Sequence, residues 1–598
     1  MSAPPTTRPN RPAATLNVSA QAGAARLAPG KVRLRVWQKA ALEQFEASEH
    51  ADFLAVATPG AGKTTFALVA GLRSLAAHPR QRLVVVAPTA HLKTQWADAA
   101  ARLGLHLDPT WSQTSGQLPP DMHGIVTTYQ QVATSAAALK TAAAGAFVIL
   151  DEIHHAGDER AWGDSVRKAF AGAGRRLSLS GTPFRSDTRP IPFLRYTLEE
   201  AVADYEYGYA DALRDGRVVR PAYFPRINGF MEWVAPDGTL NSASFDDPLE
   251  RTRAAQRLRT ALSEDGDWMP TVLRQANEQL MLLRANNPRA GGLVIATDQD
   301  HARAIAALMR TRLRLNPVLV LSDDPDASSR ILQFATSDDP WIVAVRMVSE
   351  GVDIARLQIG VFATTTTTEL FFRQAVGRLV RWTNDVPGRQ KAFMFIPDDI
   401  RLRTYAHQIA DSRRHSLRKR IDDAGNALDG APVDDGSAFD NARALEEQPE
   451  QLSLFTALSA VVTESDHVVS GVAGTSGVFD DIFDDDGREE LVDAHEQSEA
   501  NDPLFLDVSV LAPPLPKPPA TVGVGVTGFS SMTRYQQKEY LRIRNAELAR
   551  DIARMGALEH RVVNSQLNKA AGIAKIGEAT VEQLDRRARE GTKWLARL

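Results

Sequence analysis

From residue 52 the sequence reads Asp52-Phe53-Leu54-Ala55-Val56-Ala57-Thr58-Pro59-Gly60-Ala61-Gly62-Lys63-Thr64-Thr65. A short apolar run leads into a glycine-containing turn, and Lys-Thr then opens an Ala/Leu-rich helical segment, which is the order of elements in a phosphate-binding P-loop. Glycines let backbone N–H groups close around phosphates, and the helix N-terminus adds partial positive charge. The predicted cradle is Pro59, Gly60, Ala61, Gly62, Lys63, Thr64 and Thr65.

Two side chains of this turn have predicted roles with a nucleotide. Lys63 would pair with the β and γ phosphates, and the Thr64 hydroxyl would hold Mg2+. The strict motif begins with glycine, whereas this chain has Ala57 at that position. A small-residue turn that binds nothing is the alternative interpretation, and the strand–turn–helix context favours phosphate binding over it.

Composition limits the class of protein. A chain of 598 residues is too long for one hydrophobic core, so we expect three or four domains. With no cysteine, the chain excludes disulfides, iron–sulfur clusters and cysteine-ligated zinc, so any metal should arrive with the nucleotide. No window offers the ~18 uninterrupted apolar residues of a membrane span. We therefore expect a cytoplasmic protein that does not bind membranes.

Strand-like and helix-like segments alternate after the P-loop. Continuous apolar runs such as 82–87, 124–126 and 146–150 are typical of a parallel sheet covered on both faces, whose ligands gather at the carboxyl ends of its strands. Asp151 and Glu152 follow the last of these runs. We assign Asp151 to Mg2+ and Glu152 to orienting and deprotonating the attacking water. A helix N-cap is the alternative role for this acidic pair.

A second group of chemistry-bearing residues lies at 374–381, Gln-Ala-Val-Gly-Arg-Leu-Val-Arg. Arg378 and Arg381 are three residues apart on a predicted helix, so both could reach a transferring phosphate across a cleft. A guanidinium supplied in this way accelerates hydrolysis by ~10³–10⁵-fold, and Arg381 is our first choice for this finger. The alternative is an exposed basic helix. Apolar neighbours argue against it, namely Phe371, Phe372, Ala375, Val376, Leu379 and Val380.

These motifs together resemble a known family. Asp151-Glu152-Ile153-His154 is a DExH box, 178–183 matches a coupling segment, and 374–381 matches Gln-x-x-Gly-Arg-x-x-Arg without a mismatch. Over about residues 33–400 the chain resembles superfamily-two DExH helicases, closest in style to the restriction-enzyme-type and UvrB-type group. The resemblance implies an α/β fold of two tandem RecA-like parallel-sheet domains that use ATP and Mg2+.

The resemblance also implies roles for further residues. Gln38, about twenty residues before the P-loop, would read adenine and select ATP. Gly351 and Asp353 lie in the family's fifth motif and would contact the nucleotide. The implied nucleic-acid track consists of Pro88, Thr89, Thr127, Thr128, Thr297 and Met347. The residues implied to couple the two domains are His154, Ser180, Thr182 and Gln374.

Composition shifts predict the domain boundaries. They are a disordered tail at 1–30, an ATP-binding domain at 31–205, a connector with a helical insertion at 206–288, a second RecA-like domain at 289–425, an acidic and Pro-rich disordered linker at 426–530, and a basic helical module at 531–598. The linker is either solvated or a binder of a partner or of the motor itself. The module either touches DNA phosphate or docks on the motor.

The predicted function is an ATP-dependent DNA helicase or translocase that binds single-stranded or duplex DNA largely independently of sequence. One alternative is a duplex-tracking ATPase that serves as motor of a repair or restriction-like assembly without separating strands. RNA is not excluded as substrate, and an ATP-gated nucleic-acid clamp is a further alternative. A protein partner could bind the acidic linker or the C-terminal helices. The Ala/Arg-rich composition suggests a bacterial or phage origin.

Overall fold

The computed structural model describes residues 31–115, 117–158, 160–181, 190–197, 200–321, 323–324, 326–345, 354–383, 386, 388, 390–424, 456–461, 504–507, 511–515 and 529–598. The elements of the first domain are β1 (Lys31–Arg33), α1 (Val36–Ala47), β2 (Asp52–Ala57), α2 (Lys63–Ala77), β3 (Leu83–Ala87), α3 (Ala90–Arg102), β4 (Leu107–Asp108), β5 (Gly124–Thr128), α4 (Tyr129–Ala142), β6 (Phe147–Leu150), α5 (His155–Asp158), α6 (Arg160–Phe170), β7 (Arg175–Ser180), β8 (Tyr196–Thr197), β9 (Glu200–Ala201), β10 (Tyr205–Tyr207) and α7 (Tyr209–Arg214).

The first domain is built on a parallel sheet of seven strands in the order β10-β2-β7-β6-β3-β5-β4. Strands β3, β5 and β6 are buried along their whole length, because helices cover both faces of the sheet. Since all seven strands run in the same direction, their carboxyl ends lie along one edge. The P-loop, the acidic pair and the predicted track residues Pro88, Thr89, Thr127 and Thr128 therefore all lie at or near this edge.

The second domain begins earlier than the sequence predicted. Its elements are β11 (Ala222–Tyr223), β12 (Arg226–Ile227), β13 (Phe230–Val234), β14 (Leu240–Ser244), α8 (Arg251–Ala261), α9 (Trp268–Asn286), β15 (Gly291–Ala296), α10 (Gln299–Arg312), β16 (Val318–Val320), α11 (Ala327–Thr336), β17 (Trp341–Ala344), β18 (Leu357–Ala363), α12 (Glu369–Leu379), β19 (Ala392–Pro397) and α13 (Ile400–Ala424). Strands β11 and β12, from the predicted connector, both pair in parallel with β19. Together with the order β11-β19-β18-β15-β17-β16, they complete a second seven-stranded sheet.

The predicted linker contains two short strands that the sequence analysis did not anticipate. Strand β20 (Thr456–Val461) adds to the hairpin of β13 and β14. Strand β21 (Phe505–Asp507) pairs antiparallel with β1, and the Leu34 amide donates to the Leu504 carbonyl at 2.8 Å. The apolar residues of the acidic segment thus attach it to both domains at open strand edges. Most of the predicted disordered linker, like the predicted tail at 1–30, lies outside the described residues.

The C-terminal module consists of α14 (Arg534–Met555), α15 (His560–Ala571) and α16 (Val581–Leu595). It docks on the first domain through a buried ion pair, in which Lys538 Nζ lies 2.7 Å from Asp121 Oδ1. The second Asp121 oxygen accepts from the Val581 amide at 2.9 Å, and Tyr535 donates its hydroxyl to Asp98 at 2.7 Å. Docking on the motor, one of the two roles predicted for this module, is therefore observed.

The predicted fold class is confirmed by these elements: two tandem parallel-sheet α/β domains of RecA-like type, followed by a small helical module. The described helices contain no segment with the length and apolar character needed to cross a membrane.

Breaking the buried ion pair should loosen the module. Lys538→Met leaves the Asp121 carboxylate buried without its cation, which costs about 3–5 kcal/mol. We expect limited proteolysis to release the module from this variant, and the thermal unfolding midpoint to fall. The matched control is Lys538→Met with Asp121→Asn, since Asn can still accept from the Val581 amide and carries no charge. Equal protease resistance of wild type and Lys538→Met would contradict the role of the ion pair.

Candidate nucleotide site and nucleic-acid track

The glycine turn has the backbone that the P-loop prediction requires. Gly60 and Gly62 adopt left-handed conformations, with φ of 84° and 92°, and α2 begins directly afterwards at Lys63. Residues with side chains rarely adopt these angles, so glycine is needed at both positions. The first turn of α2 thereby presents its amide groups together with Lys63, Thr64 and Thr65.

Residues at the start of α1 support the turn from outside. Arg35 donates from Nη1 to the Gly60 carbonyl at 3.0 Å, and Gln38 donates from Nε2 to the Gly62 carbonyl at 2.9 Å. The other end of the Gln38 amide accepts from the Arg35 backbone N–H at 2.7 Å. Gln38 is buried, and its described bonds all lie within the protein. Reading adenine would therefore require it to exchange at least one of these bonds.

The acidic pair lies beside the P-loop lysine. Lys63 Nζ is 3.1 Å from Glu152 Oε1, and the Gly181 amide donates to Glu152 Oε2 at 3.1 Å. Asp151 Oδ2 accepts from the Trp96 indole N–H at 2.9 Å, and Tyr129 donates its hydroxyl to the Asp151 carbonyl at 2.9 Å. Glu152 has a φ of 45°, a backbone conformation that is costly for a residue other than glycine. The surrounding contacts hold it there.

The two carboxylates have different electrostatic environments. Burial, followed by the charge of Glu152, raises the pKa of Asp151 well above its usual range. Burial also acts to raise the pKa of Glu152, but Lys63 and His154 outweigh it and bring that pKa below the usual range. Glu152 is therefore held ionised, whereas the negative charge of Asp151 is only partly balanced by the protein.

The residues present fit a nucleotide with Mg2+. The left-handed glycines and the start of α2 form an anion cradle, and Lys63 is the cation that would follow a phosphate into it. A divalent cation would balance the buried Asp151 carboxylate. Thr64 and Asp151 are the residues that would hold that cation, and Mg2+ would supply charge neutralisation at the phosphates.

Helix α12 of the second domain lies directly on the P-loop. A Cβ atom built on Gly377 would lie 2.6 Å from the Cβ and Cγ atoms of Pro59, and one built on Gly60 would lie 3.3 Å from Arg381 Cγ. Gln374 Nε2 is 3.1 Å from His154 Nε2, so the two predicted coupling residues meet across the cleft. The Gln374, Gly377 and Arg381 positions therefore all face the first domain.

His154 connects this cross-domain contact to Glu152. If Gln374 donates to Nε2, the imidazole proton is on Nδ1, which lies 3.5 Å from Ser180 Oγ and 3.7 Å from Glu152 Oε2. One imidazole therefore lies between Gln374 of the second domain and Glu152, the predicted general base. Thr182, the fourth predicted coupling residue, lies outside the described residues.

The prediction that both arginines lie on one helix face is wrong for Arg381. Helix α12 ends at Leu379, and Arg381 lies two residues later in an isolated antiparallel bridge with Val219. The helix ends here because Arg220 donates its amide to the Val380 carbonyl at 2.6 Å, so the chain pairs with the interdomain segment instead of continuing the helix. Arg378 remains on the helix and is partly exposed. The apolar neighbours predicted to pack around this segment are buried, as expected.

Arg220 fixes the segment that carries Arg381. Its side chain is fully buried and donates to the Leu357 carbonyl at 2.8 Å, the Ala355 carbonyl at 3.0 Å and the Gln390 Oε1 atom at 2.7 Å. It also donates to the Leu379 carbonyl at 3.3 Å and the Thr383 hydroxyl at 2.9 Å. One guanidinium thus joins the chain at Ala355 and Leu357 to the chain around Arg381, the predicted arginine finger.

The predicted track residues do not all have the same exposure. Pro88 and Thr89 are partly exposed, and the Thr89 side chain makes no capping bond to α3. Thr128 caps α4 by accepting from the Gln131 amide at 3.1 Å, and Thr297 is partly exposed at the end of β15. Thr127 is fully enclosed in the sheet, so its side chain does not reach the surface in this arrangement.

Three predicted residues lie outside the described ones: Met347, Gly351 and Asp353. Sequence reasoning missed Arg35, Trp96 and Arg220. Arg35 is three residues before Gln38, and that proximity was a usable signal. Trp96 and Arg220 gave none, since each acts on a part of the chain far away in sequence.

Part of the sequence matches a known protein family, and two thirds of it matches mycobacterial proteins. The family model described as type III restriction enzyme, res subunit, matches residues 31–185. The uncharacterized protein Rv2917 of Mycobacterium tuberculosis is 46% identical over 408 residues, which are 67% of this chain and 67% of that protein. The uncharacterized protein ML1624 of Mycobacterium leprae is 46% identical over 408 residues, covering 67% of this chain and 68% of that protein.

Solved structures with a similar chain trace include a fragment of a putative HsdR subunit of a type I restriction enzyme from Vibrio vulnificus. It has a TM-score of 0.44 and 16% identity, and the match covers 62% of this chain and 65% of that one, slightly less than two thirds of its length. The Type ISP restriction-modification enzyme LlaBIII bound to DNA has a TM-score of 0.44 and 14% identity, over 65% of this chain and 30% of that one. The chain belongs to the superfamily-two helicases and to one family with these mycobacterial proteins, and its own residues 31–185 match the type III restriction enzyme res subunit domain.

Proposed function

We propose that this protein is an ATP-dependent DNA translocase or helicase, in which ATP hydrolysis between the two RecA-like domains drives movement along a strand. The observation that carries the proposal is the meeting of both domains at the P-loop. Lys63 and Glu152 of the first domain lie 3.1 Å apart, and Gly377 and Arg381 of the second pack on Pro59 and Gly60. Hydrolysis at such a cleft depends on domain closure, which couples the nucleotide cycle to motion.

In this proposal each side chain has a defined task. Lys63 neutralises the β and γ phosphates, Thr64 and Asp151 hold Mg2+, and ionised Glu152 orients and deprotonates the attacking water. Arg381, assisted by Arg378, stabilises the charge that develops on the transferred phosphoryl group. His154, which contacts both Gln374 of the second domain and Glu152, would make the position of Glu152 depend on the position of the second domain. The DNA strand would lie across Thr89, Thr128 and Thr297, and the protein would contact chiefly the phosphates of that strand.

Steady-state ATP hydrolysis, measured alone and with single-stranded DNA, duplex DNA or RNA, tests the function. We expect DNA to stimulate turnover of the wild type, Lys63→Ala to abolish it, and Arg381→Ala to lower kcat by about 10³-fold. Arg310→Ala, an exposed arginine on α10, is the control and should behave like the wild type. Stimulation by RNA alone would reassign the substrate, and nucleotide binding without turnover would favour a clamp. Displacement of a third strand without duplex separation would favour a duplex-tracking motor.

Gly377→Ala should separate nucleotide binding from turnover. The added methyl group would meet Pro59 at 2.6 Å, so α12 must move away from the P-loop. We expect binding of a fluorescent ATP analogue to change by less than about threefold, because the first-domain contacts remain, and DNA-stimulated kcat to fall by about 10- to 100-fold. Gly172→Ala is the control, since a Cβ there meets nothing within 4 Å. Unchanged kcat in Gly377→Ala would mean that this contact is dispensable.

Arg220→Lys should impair turnover through Arg381. Lysine keeps the charge but cannot make the five bonds that the guanidinium makes in its fixed plane. We expect kcat to fall by about 10-fold or more, and the same substitution to have no further effect in an Arg381→Ala background. The control is Arg257→Lys, a buried arginine that donates to the Ser244 and Asp247 carbonyls away from the cleft. Additive losses in the double variant would show that Arg220 acts independently of Arg381.

A further inference from the structure

We propose that the C-terminal module extends the nucleic-acid track, with Arg542 and Arg550 of α14 binding phosphates of a single DNA strand beyond the first domain. This inference rests on the proposed function, because it places the surface at the end of the track on which that function depends. It assigns a partner to a module whose docking on the motor would otherwise leave its basic surface without a role.

The sheet order places this surface next in line after the track. Strands β3, β5 and β4 are parallel neighbours, so the residues that follow them lie side by side along one edge. Thr89 follows β3, Thr128 ends β5, and Thr110 follows β4 by two residues. Because neighbouring strands are about 4.8 Å apart, Thr110 lies one strand spacing further along the edge than Thr128. A DNA strand that contacts Thr89 and Thr128 would therefore reach Thr110 next.

Helix α4, which begins beside the predicted track residue Thr128, holds the loop after β4 in this position. The Gln131 backbone amide donates to the Thr128 hydroxyl at 3.1 Å, and the Gln131 side chain donates to the Trp111 carbonyl at 2.7 Å. Lys93 of α3 donates to the Gln131 side chain at 3.2 Å. The N-termini of α3 and α4 and the Trp111 loop thus form one connected polar surface at the carboxyl edge.

Helix α14 meets that surface at Arg542, which donates from Nη1 to the Thr110 hydroxyl at 3.2 Å. One turn earlier, Lys538 makes the buried ion pair with Asp121, and Arg534 donates to the Asp121 carbonyl at 3.0 Å. The helix is therefore fixed in direction where it leaves the first domain. Arg542 lies at the junction between the docking face and the part of α14 that extends beyond it.

The basic residues of α14 follow one row. Positions 534, 538, 542 and 550 are all basic and belong to the series i, i+4, with Ala546 between the last two. Such a row winds slowly around a helix of 3.6 residues per turn, so it passes from the docking face towards solvent. From Lys538 onwards the exposure of these side chains increases along the row: Lys538 is buried, Arg542 is partly exposed and Arg550 is exposed. Arg542 and Arg550 are about 12 Å apart along the axis, which a few nucleotides would span.

Two of the three acidic residues of α14 pair with arginines other than Arg542 and Arg550. Glu547 lies 3.6 Å from Arg544, and Asp551 lies 3.1 Å from Arg554, so both carboxylates are paired with other arginines of the helix. Glu539 is exposed one turn before Arg542. Guanidinium groups bind phosphate oxygens through paired donors and do not select a base. The chemistry therefore fits a DNA backbone, bound without sequence preference.

The test uses the full chain with Arg542→Ala, Arg550→Ala and both together. Binding of fluorescein-labelled oligo(dT) of several lengths is measured by anisotropy across a range of salt concentrations. The double variant should bind the longer strands about 10-fold more weakly, and the slope of log K against log salt should fall by about 1.4, since each phosphate contact of a single strand contributes about 0.7. The shortest oligonucleotides, which reach only the first domain, should bind the wild type and the double variant equally.

Two controls isolate the surface from the fold and from the motor. Lys569→Ala removes an exposed charge from α15 and should leave the affinity and salt slope at wild-type values. Arg542→Lys with Arg550→Lys should restore the slope, because a phosphate contact depends chiefly on charge. ATP turnover without DNA and the thermal unfolding midpoint of the double alanine variant should match the wild type.

The outcomes separate this inference from the proposed function. Equal affinity and equal salt slope in wild type and the double alanine variant would overturn the extended track, even if DNA stimulates ATP hydrolysis normally. Loss of affinity that is the same for strands of every length would also overturn it, because the effect would then not lie beyond the first domain. A wild type whose turnover and binding do not respond to DNA would instead overturn the proposed function, and this inference with it.

Discussion

The contact of α12 with the P-loop is the constraint on which the cleft depends. Gly377 lies so close to Pro59 that no side chain fits between them, and this closeness brings Gln374 to His154 and Arg381 to Gly60. A glycine in a buried helix costs about 1 kcal/mol relative to alanine. Here that cost is offset by an approach that places groups from two domains around one phosphate site.

Lys63 is the cation beside the acidic pair. It forms an ion pair with Glu152, whereas the buried Asp151 is offset less fully, by the charge of Lys63, the Trp96 indole N–H and His155. If Lys63 turns towards a phosphate, the acidic pair loses its partner, and a divalent cation beside Asp151 compensates for that loss. A nucleotide and a metal would therefore favour each other's binding through one buried set of charges. This is a physical reason for the two to bind together.

The sequence predicted those features that depend on a few consecutive residues. The turn at 57–65, the acidic pair after β6 and the Gln-x-x-Gly-Arg-x-x-Arg segment each occupy a few consecutive residues, so their strands and helices could be placed from the sequence. The parallel arrangement followed from continuous apolar runs, as in β3 and β6. The second sheet's first strands could not be placed, because Ala222–Tyr223 and Arg226–Ile227 are two residues each and become strands only by pairing with β19.

The arginines that sequence reasoning missed share one chemical feature: most of their partners are backbone carbonyls. Arg35 binds the Gly60 carbonyl, Arg220 binds those of Ala355, Leu357 and Leu379, and Arg356 binds those of Phe334, Arg289 and Asp339. Every residue has a carbonyl, so no residue type at the far end marks the contact in the sequence.

The need for such contacts follows from the architecture. Segments that leave a parallel sheet at its carboxyl edge have carbonyl groups that no neighbouring strand satisfies, and burying them at a domain interface without donors is costly. A guanidinium has five donors in one plane and can satisfy several carbonyls from separate segments at once. In this chain the same residue type therefore serves twice at the cleft: Arg220 holds the irregular backbone in place, and that backbone holds Arg381 towards the P-loop.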